Sequence, residues 1–155
     1  MKEVKMRRYQ NLLTISGLGV IVFGVWTVLK TILLLFLKED ALAGLPDNST
    51  VRIIFFAILT AVMLIDFLIR LFVGLSARAE GFGKKKGYAY IFFAILLALM
   101  SLISLVLVFF DAGEQSILEL AISVIVETTS MIVSIELLVA AFTVKKLKKD
   151  LGEVQ

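Results

Sequence analysis

The sequence predicts an all-α, polytopic integral membrane protein: a bundle of four transmembrane helices with both termini on the cytoplasmic side. Composition is the first observation, because 60% of the 155 residues are hydrophobic, 19% are charged and the mean hydropathy is +1.01. A soluble domain of this size has roughly 45–50% apolar and about 25% charged residues. It also has no interior large enough for this much apolar surface. Soluble fold classes are therefore excluded.

Four long apolar stretches are the second observation. The predicted spans are residues 11–37, 52–76, 88–110 and 117–144. Each exceeds the roughly 20 residues that a helix needs to cross a bilayer. Their hydrophobicity extends around the whole helix, as is typical of membrane helices. The segments between them are too short for a second domain, so residues 1–155 are predicted to form one transmembrane domain.

The distribution of basic residues is the third observation, and it sets the orientation. The lead, the loop between the second and third spans, and the tail each carry four basic residues. They are Lys2, Lys5, Arg7, Arg8; Arg78, Lys84, Lys85, Lys86; and Lys145, Lys146, Lys148, Lys149. The two other loops carry only Lys38 and Arg52. Because Lys and Arg concentrate in cytoplasmic loops, we expect both termini in the cytoplasm and the chain in the inner membrane of a bacterial cell.

The lysine runs near the span ends are predicted to contact anionic lipid headgroups, which attract a basic residue by about 1 kcal/mol. The candidate lipid-contacting residues are Lys84, Lys85, Lys86, Lys145, Lys146, Lys148 and Lys149. This placement accounts for the isoelectric point near 9.2 without a nucleic-acid partner. The glycines of segment 81–87 lack the GxxxxGK[ST] spacing of a phosphate-binding loop.

Two missing residue types restrict the chemistry. The chain has no Cys and no His, which excludes disulfides, thiolate nucleophiles and the commonest ligands of zinc and haem. Serine–histidine and cysteine–histidine catalysis are excluded as well. We expect no metal and no cofactor. Any proton chemistry must use carboxylates, Lys or Tyr.

Five charged residues inside the spans are the main functional candidates: Lys30, Asp66, Arg70, Glu127 and Glu136. A charge at the centre of a membrane helix costs roughly 2.5–3.5 kcal/mol, so such residues face the bundle interior or a water-filled cavity. Depth estimated from the basic helix ends predicts one cluster of Asp66, Arg70 and Glu136. The same estimate places Lys30 level with Glu127 and predicts that these two residues pair.

Polar residues of the fourth span fall on one side of the helix, which we call the polar stripe. Its members are Ser116, Glu119, Ser123, Glu127, Ser130 and Ser134, with Glu136 on the opposite side. The polar stripe either lines an aqueous path or ion site or lets another helix pack closely. Small-residue packing faces are also predicted at Ala57 and Ala61, and at Ala94, Ala98 and Ser101.

Three function classes remain open. The first is a transporter or channel component, and its candidate ion- or substrate-binding residues are Glu127, Glu136, Asp66, Arg70, Lys30, Ser123, Ser130 and Ser134. The second is an accessory protein whose buried charges only fix helix packing and partners. The third is a small intramembrane lipid-modifying enzyme. The number of intramembrane charges favours the first, acting as a homo-oligomer or with a partner subunit because four helices leave little room for a path.

Overall fold

The structure is a computed structural model that describes residues 2–37, 49–110 and 117–152. Within these ranges the chain forms four helices: α1 (Lys2–Leu37), α2 (Ser49–Gly81), α3 (Ala89–Phe110) and α4 (Ile117–Asp150). Each helix contains a stretch long and apolar enough to cross a membrane. The predicted all-helical class is confirmed, and the four apolar helices fit a multi-pass membrane protein.

Three helices extend beyond the predicted apolar spans into basic sequence. α2 continues to Gly81, so residues 77–81, which were predicted to belong to a loop, are helical. Ala77, Ala79 and Glu80 continue the helix because alanine and glutamate have high helix propensity. Gly83 then stops it with a positive φ of 89°, and the amide of Lys84 donates to the carbonyl of Ala79 at 3.0 Å. This is the glycine-based C-cap of an α-helix.

The helices form a bundle in which α1 and α3 each contact both α2 and α4. Neighbouring helices run antiparallel: Gly17 and Gly24 of α1 face Gly74 and Arg70 of α2, respectively. The start of α1, the end of α2, the start of α3 and the end of α4 therefore lie together. We call this the basic end, because it gathers all three basic groups of the sequence, and we call the opposite one the far end.

Glycines bring α1 and α2 into backbone contact. A Cβ placed on Gly17 would lie 2.8 Å from the carbonyl oxygen of Gly74, and one on Gly74 would lie 2.5 Å from the carbonyl oxygen of Gly17. Small residues at such positions let membrane helices approach closely. The predicted packing face at Ala57 and Ala61 is wrong, since both residues are exposed. The packing face of α2 lies instead on the side of Gly74, nearer the basic end.

The core lies in the basic half of the bundle. Its fully buried apolar side chains include Leu13, Val73, Leu137 and Val144. No described residue of α2 before Val73 is buried, so α2 packs less closely toward the far end. The predicted face of Ala94 and Ser101 does point inward. Tight packing at one end and loose packing at the other leave space between the helices, and three of the intramembrane charges, Asp66, Arg70 and Glu127, lie beside that space.

Candidate functional site

An ion pair on α2 is the starting point of the site. Nε of Arg70 donates to Oδ2 of Asp66 at 2.9 Å, one helical turn away. The Arg70 side chain is 11% exposed and that of Asp66 is 33% exposed. Gly24 of α1 makes room for the arginine, because a Cβ there would lie 3.2 Å from both Cβ and Cδ of Arg70. The predicted association of Asp66 with Arg70 is confirmed.

Asp66 and Arg70 line a cavity of about 280 Å³ to which all four helices contribute. We call it the polar cavity. Its polar lining consists of Thr27, Thr31, Asp66, Arg70, Ser104, Glu127 and Ser130. Its apolar lining consists of Phe23, Leu59, Val62, Met63, Met100 and Val126. Three charged side chains and four hydroxyls thus share one space between otherwise apolar helices.

The polar stripe of α4 faces the interior of the bundle. Ser130 and Ser134 are buried, whereas Ser123 and Glu127 are half-buried. Ser130 Oγ lies 3.4 Å from Ser101 Oγ of α3, and Ser134 Oγ donates to the Ser130 carbonyl at 2.9 Å. The stripe therefore serves helix packing at Ser130 and Ser134, and it lines the polar cavity at Glu127 and Ser130. Ser116 and the side chain of Glu119 lie outside the described part of the chain.

Glu136 does not join Asp66 and Arg70, so the cluster predicted from depth is wrong for Glu136. Its side chain is exposed on the outer surface of the bundle, and it forms no ion pair with any residue in the described ranges. Nine residues separate Glu136 from Glu127, which places the two carboxyl groups on opposite sides of α4. Glu127, and not Glu136, lines the same cavity as Asp66 and Arg70.

Lys30 does not pair with Glu127 among the residues that the structure describes. Lys30 is half-buried and is not part of the polar cavity lining. Thr27 and Thr31 define the side of α1 that faces the cavity, and Lys30 is turned about 60–100° away from them at 3.6 residues per turn. Equal depth in the membrane was therefore not enough to predict the pair, because Lys30 points away from the side of α1 that faces the cavity.

A second polar cluster lies at the basic end and was missed by the sequence analysis. Glu80 is 1% exposed, and its Oε2 accepts a hydrogen bond from the hydroxyl of Tyr90 at 2.5 Å. The ammonium groups of Lys145 and Lys148 lie 3.4 and 3.6 Å from Oε1 of the same carboxylate. One side chain thus connects α2, α3 and α4. The available signal was the helix propensity of residues 77–80, which extends α2 and carries Glu80 into the bundle.

The same two lysines hold the segment between α2 and α3. Lys145 Nζ donates to the carbonyl of Lys86 at 2.7 Å and lies 4.4 Å from the centroid of the Tyr88 ring. Lys148 Nζ donates to the carbonyl of Lys84 at 3.4 Å. These bonds fix segment 82–88 against the end of α4.

Beside this contact is a second cavity, of about 400 Å³, which we call the lysine cavity. It is lined by Glu80, Lys85, Lys86, Tyr88, Phe142, Lys145, Lys146, Lys148 and Lys149. Six of the seven predicted lipid-contacting lysines are in this lining, and Lys84 is not. Their role toward lipid stays a prediction, but Lys148 is buried and turned toward Glu80 rather than outward.

Comparison with known protein families, with characterised proteins and with solved structures finds no match for this chain. The class of protein is defined by its fold, since the described residues form four helices of membrane-spanning length. Its two candidate sites are the polar cavity between the helices and the lysine cavity at the basic end. Within residues 2–37, 49–110 and 117–152, no three acidic, His or Cys side chains gather as a metal site.

Proposed function

We propose that the protein is a multi-pass membrane protein whose polar cavity binds a proton or a small cation, as a transporter or channel component. The observation that carries this proposal is the shared cavity of Asp66, Arg70 and Glu127 between four apolar helices. Ionisable residues inside a membrane are expensive, and they commonly mark ion pathways and proton relays. A cavity that collects three of them is the part of this bundle best suited to such chemistry.

The membrane placement rests on the outer surface of the helices. Large apolar side chains are exposed along α2 and α3, among them Ile58, Ile65, Phe92 and Ile103, and lipid tails are their natural surroundings. The gathering of basic residues at one end favours the cytoplasm for that end. We therefore propose an inner-membrane protein of a bacterial cell with both termini in the cytoplasm.

The donors and acceptors around the polar cavity favour a cation over an anion. Arg70 is already bound to Asp66, so the ionised form of Glu127 carries the unbalanced charge. The hydroxyls of Thr27 and Thr31 donate to the carbonyls of Phe23 and Thr27, respectively, at 2.9 Å in each case. Because a hydroxyl has one hydrogen and two lone pairs, these oxygens offer acceptors to the cavity. Acceptor oxygens beside a carboxylate suit a proton or a small cation.

The exposed carboxyl group of Glu136 supports association with a second copy or a partner subunit. A carboxylate on the lipid-facing surface of α4 is costly unless another protein covers it. The same observation favours the second candidate function, an accessory membrane protein that binds a partner and transports nothing. The two candidates differ in whether Glu127 or Glu136 is the residue on which activity depends.

Flux through proteoliposomes tests the proposal. Wild-type protein is compared with Glu127→Gln, which keeps the size and hydrogen bonding of the side chain but removes its charge. Glu136→Gln is the matched control, because it makes the same change on the opposite side of the same helix. We expect wild type and Glu136→Gln to carry protons, common cations or small amines, and Glu127→Gln to lose that flux while it remains folded.

Two results would contradict the proposal. One is an absence of wild-type flux across several pH and cation gradients, which would favour the accessory function. The other is equal flux in Glu127→Gln and wild type, which would remove the polar cavity from the pathway.

A further inference from the structure

We propose that the lysine cavity is a specific site for the phosphate group of an anionic phospholipid. This inference rests on the proposed membrane placement, but not on ion binding in the polar cavity. It differs from the general attraction of a basic surface to anionic lipid, because it assigns the binding to one cavity, whose lining holds six of the twelve basic residues at that end of the bundle.

The positive charge of the lysine cavity favours the binding of an anion. Six lysines line it against the single carboxylate of Glu80. Glu80 lies beside Lys145 and Lys148 and offsets one of their two charges, and its burial places it on the inner wall. The ammonium groups of Lys86, Lys146 and Lys149 extend from exposed residues around the same space. Their mutual repulsion falls when a phosphate group lies between them.

Glu80 also prepares the site by fixing two of the lysines in advance. An ammonium group has three N–H donors. Lys145 donates one to the Lys86 carbonyl and Lys148 donates one to the Lys84 carbonyl. The two ammonium groups also lie 3.4 and 3.6 Å from Oε1 of Glu80. Each ammonium group donates to one backbone carbonyl, so N–H donors remain for a ligand. Side chains that are already held lose less conformational entropy when a ligand binds.

The apolar part of the lining identifies the anion as a lipid rather than a soluble phosphate. Phe142 and Tyr88 are 52% and 70% exposed beside the lysines. From Phe142, the exposed side chains of Val139 and Ile135 continue along one side of α4 toward the far end. A phospholipid would place its phosphate among the lysines and an acyl chain along this apolar track. Inorganic phosphate has no acyl chain that could contact this track.

The test measures lipid retention by native mass spectrometry on the purified full-length chain in detergent. The probes are phosphatidylglycerol and, for comparison, zwitterionic phosphatidylcholine. The variant Lys86→Gln/Lys146→Gln/Lys149→Gln removes three charges at the cavity. Its matched control, Lys2→Gln/Lys5→Gln/Arg8→Gln, removes three exposed charges on α1 at the same end of the bundle. Thermal unfolding of each variant without added lipid verifies that it is folded.

We expect wild type and the α1 control to retain phosphatidylglycerol in preference to phosphatidylcholine. The cavity variant should bind phosphatidylglycerol at least about tenfold more weakly, because it removes three of the six ammonium groups that line the cavity. Phe142→Ala should weaken binding of the lipid without changing the effect of inorganic phosphate on the unfolding temperature. Equal losses in the two triple variants would overturn the proposal in favour of diffuse electrostatic attraction.

A second experiment compares inorganic phosphate with phosphatidylglycerol by their effects on the unfolding temperature. If 10 mM phosphate, roughly the concentration at which weak sites fill, stabilised wild type as much as phosphatidylglycerol does, the site would bind soluble anions and the lipid assignment would be wrong. None of these experiments measures flux, so a negative result for lipid binding leaves the proposed ion function intact. Conversely, a chain without flux that retains phosphatidylglycerol in the predicted way supports the lipid site alone.

Discussion

The hydroxyl of Tyr90 donates a hydrogen bond of 2.5 Å to Oε2 of Glu80, and both side chains are almost completely buried. The two residues lie on opposite sides of the connection between α2 and α3. Because Lys145 and Lys148 lie beside the other oxygen of the same carboxylate, this contact also reaches α4. The basic end is therefore held together by a charged and fully partnered group, not by apolar packing alone.

The first prediction concerns this hydrogen bond. Tyr90→Phe should lower the free energy of unfolding by about 1–3 kcal/mol, since a buried carboxylate oxygen loses its donor. Tyr88→Phe is the control, because it keeps the aromatic ring near Lys145 and removes an exposed hydroxyl. Its effect should stay within about 0.5 kcal/mol. Denaturant unfolding in detergent micelles measures both. Equal effects of the two substitutions would show that Glu80 does not depend on Tyr90.

Fold class and the common location of the basic groups could be predicted from sequence because both depend on local properties. Apolar length defines a membrane-spanning helix whatever its neighbours are. The basic groups of α1, segment 82–88 and α4 meet at one end because consecutive helices alternate in direction. The inward orientation of Ser130 and Ser134 was likewise predictable, since residues four apart share one side of a helix.

The pairing of the charges could not be predicted, because it depends on which helices adjoin and how they are rotated. Glu127 and Glu136 have the same chemistry, and only the rotation of α4 puts Glu127 in the polar cavity. The backbone contact of Gly17 with Gly74 fixes how α1 meets α2, and it was not among the predicted packing faces. Glu80 was missed because its burial requires three helices to converge on it.

The second prediction concerns the ion pair of the polar cavity. Arg70→Leu should lower the free energy of unfolding by about 3 kcal/mol or less, because it leaves Asp66 without its partner in a partly exposed position. Asp66→Leu/Arg70→Leu should recover part of that loss. Arg70→Leu/Glu136→Leu should equal the sum of its single effects, since Glu136 is on the outer surface. Recovery in the pair with Glu136, and none in the pair with Asp66, would reverse the assignment.

The third prediction tests the glycine contact between α1 and α2. Gly74→Ala should destabilise the bundle by about 1–3 kcal/mol, because the new methyl group would meet the carbonyl of Gly17 and the side chain of Ile21. Gly87→Ala is the control, since a Cβ there has no neighbour within 4 Å. Thermal unfolding in detergent distinguishes the two. A Gly74→Ala protein as stable as the Gly87→Ala protein would contradict the close approach of the helices.

The fourth prediction concerns orientation. The chain has no cysteine, so single substitutions can be labelled without background. Lys85→Cys and Lys149→Cys should react with a membrane-impermeant maleimide only when the cytoplasmic side is opened, because the basic end is proposed to face the cytoplasm. Asp47→Cys, in the acidic loop after the first span, should react from outside in intact cells. Labelling of position 85 or 149 from outside alone would invert the proposed topology.

The central claim is that Asp66, Arg70 and Glu127 share a water-accessible cavity inside the membrane, and the reactivity of cysteines in its wall tests this most directly. The cysteine thiolate is the nucleophile that attacks a thiol reagent, and it needs a polar environment to form. Thr27 and Ser104 line the polar cavity, whereas Ala57 lies on the exposed outer side of α2. The three variants compared are Thr27→Cys, Ser104→Cys and Ala57→Cys. We predict that a small cationic methanethiosulfonate reacts with both cavity cysteines in proteoliposomes much faster than with the cysteine at position 57. Cavity cysteines as unreactive as Ala57→Cys, in preparations where Lys85→Cys reacts fully, would contradict the claim.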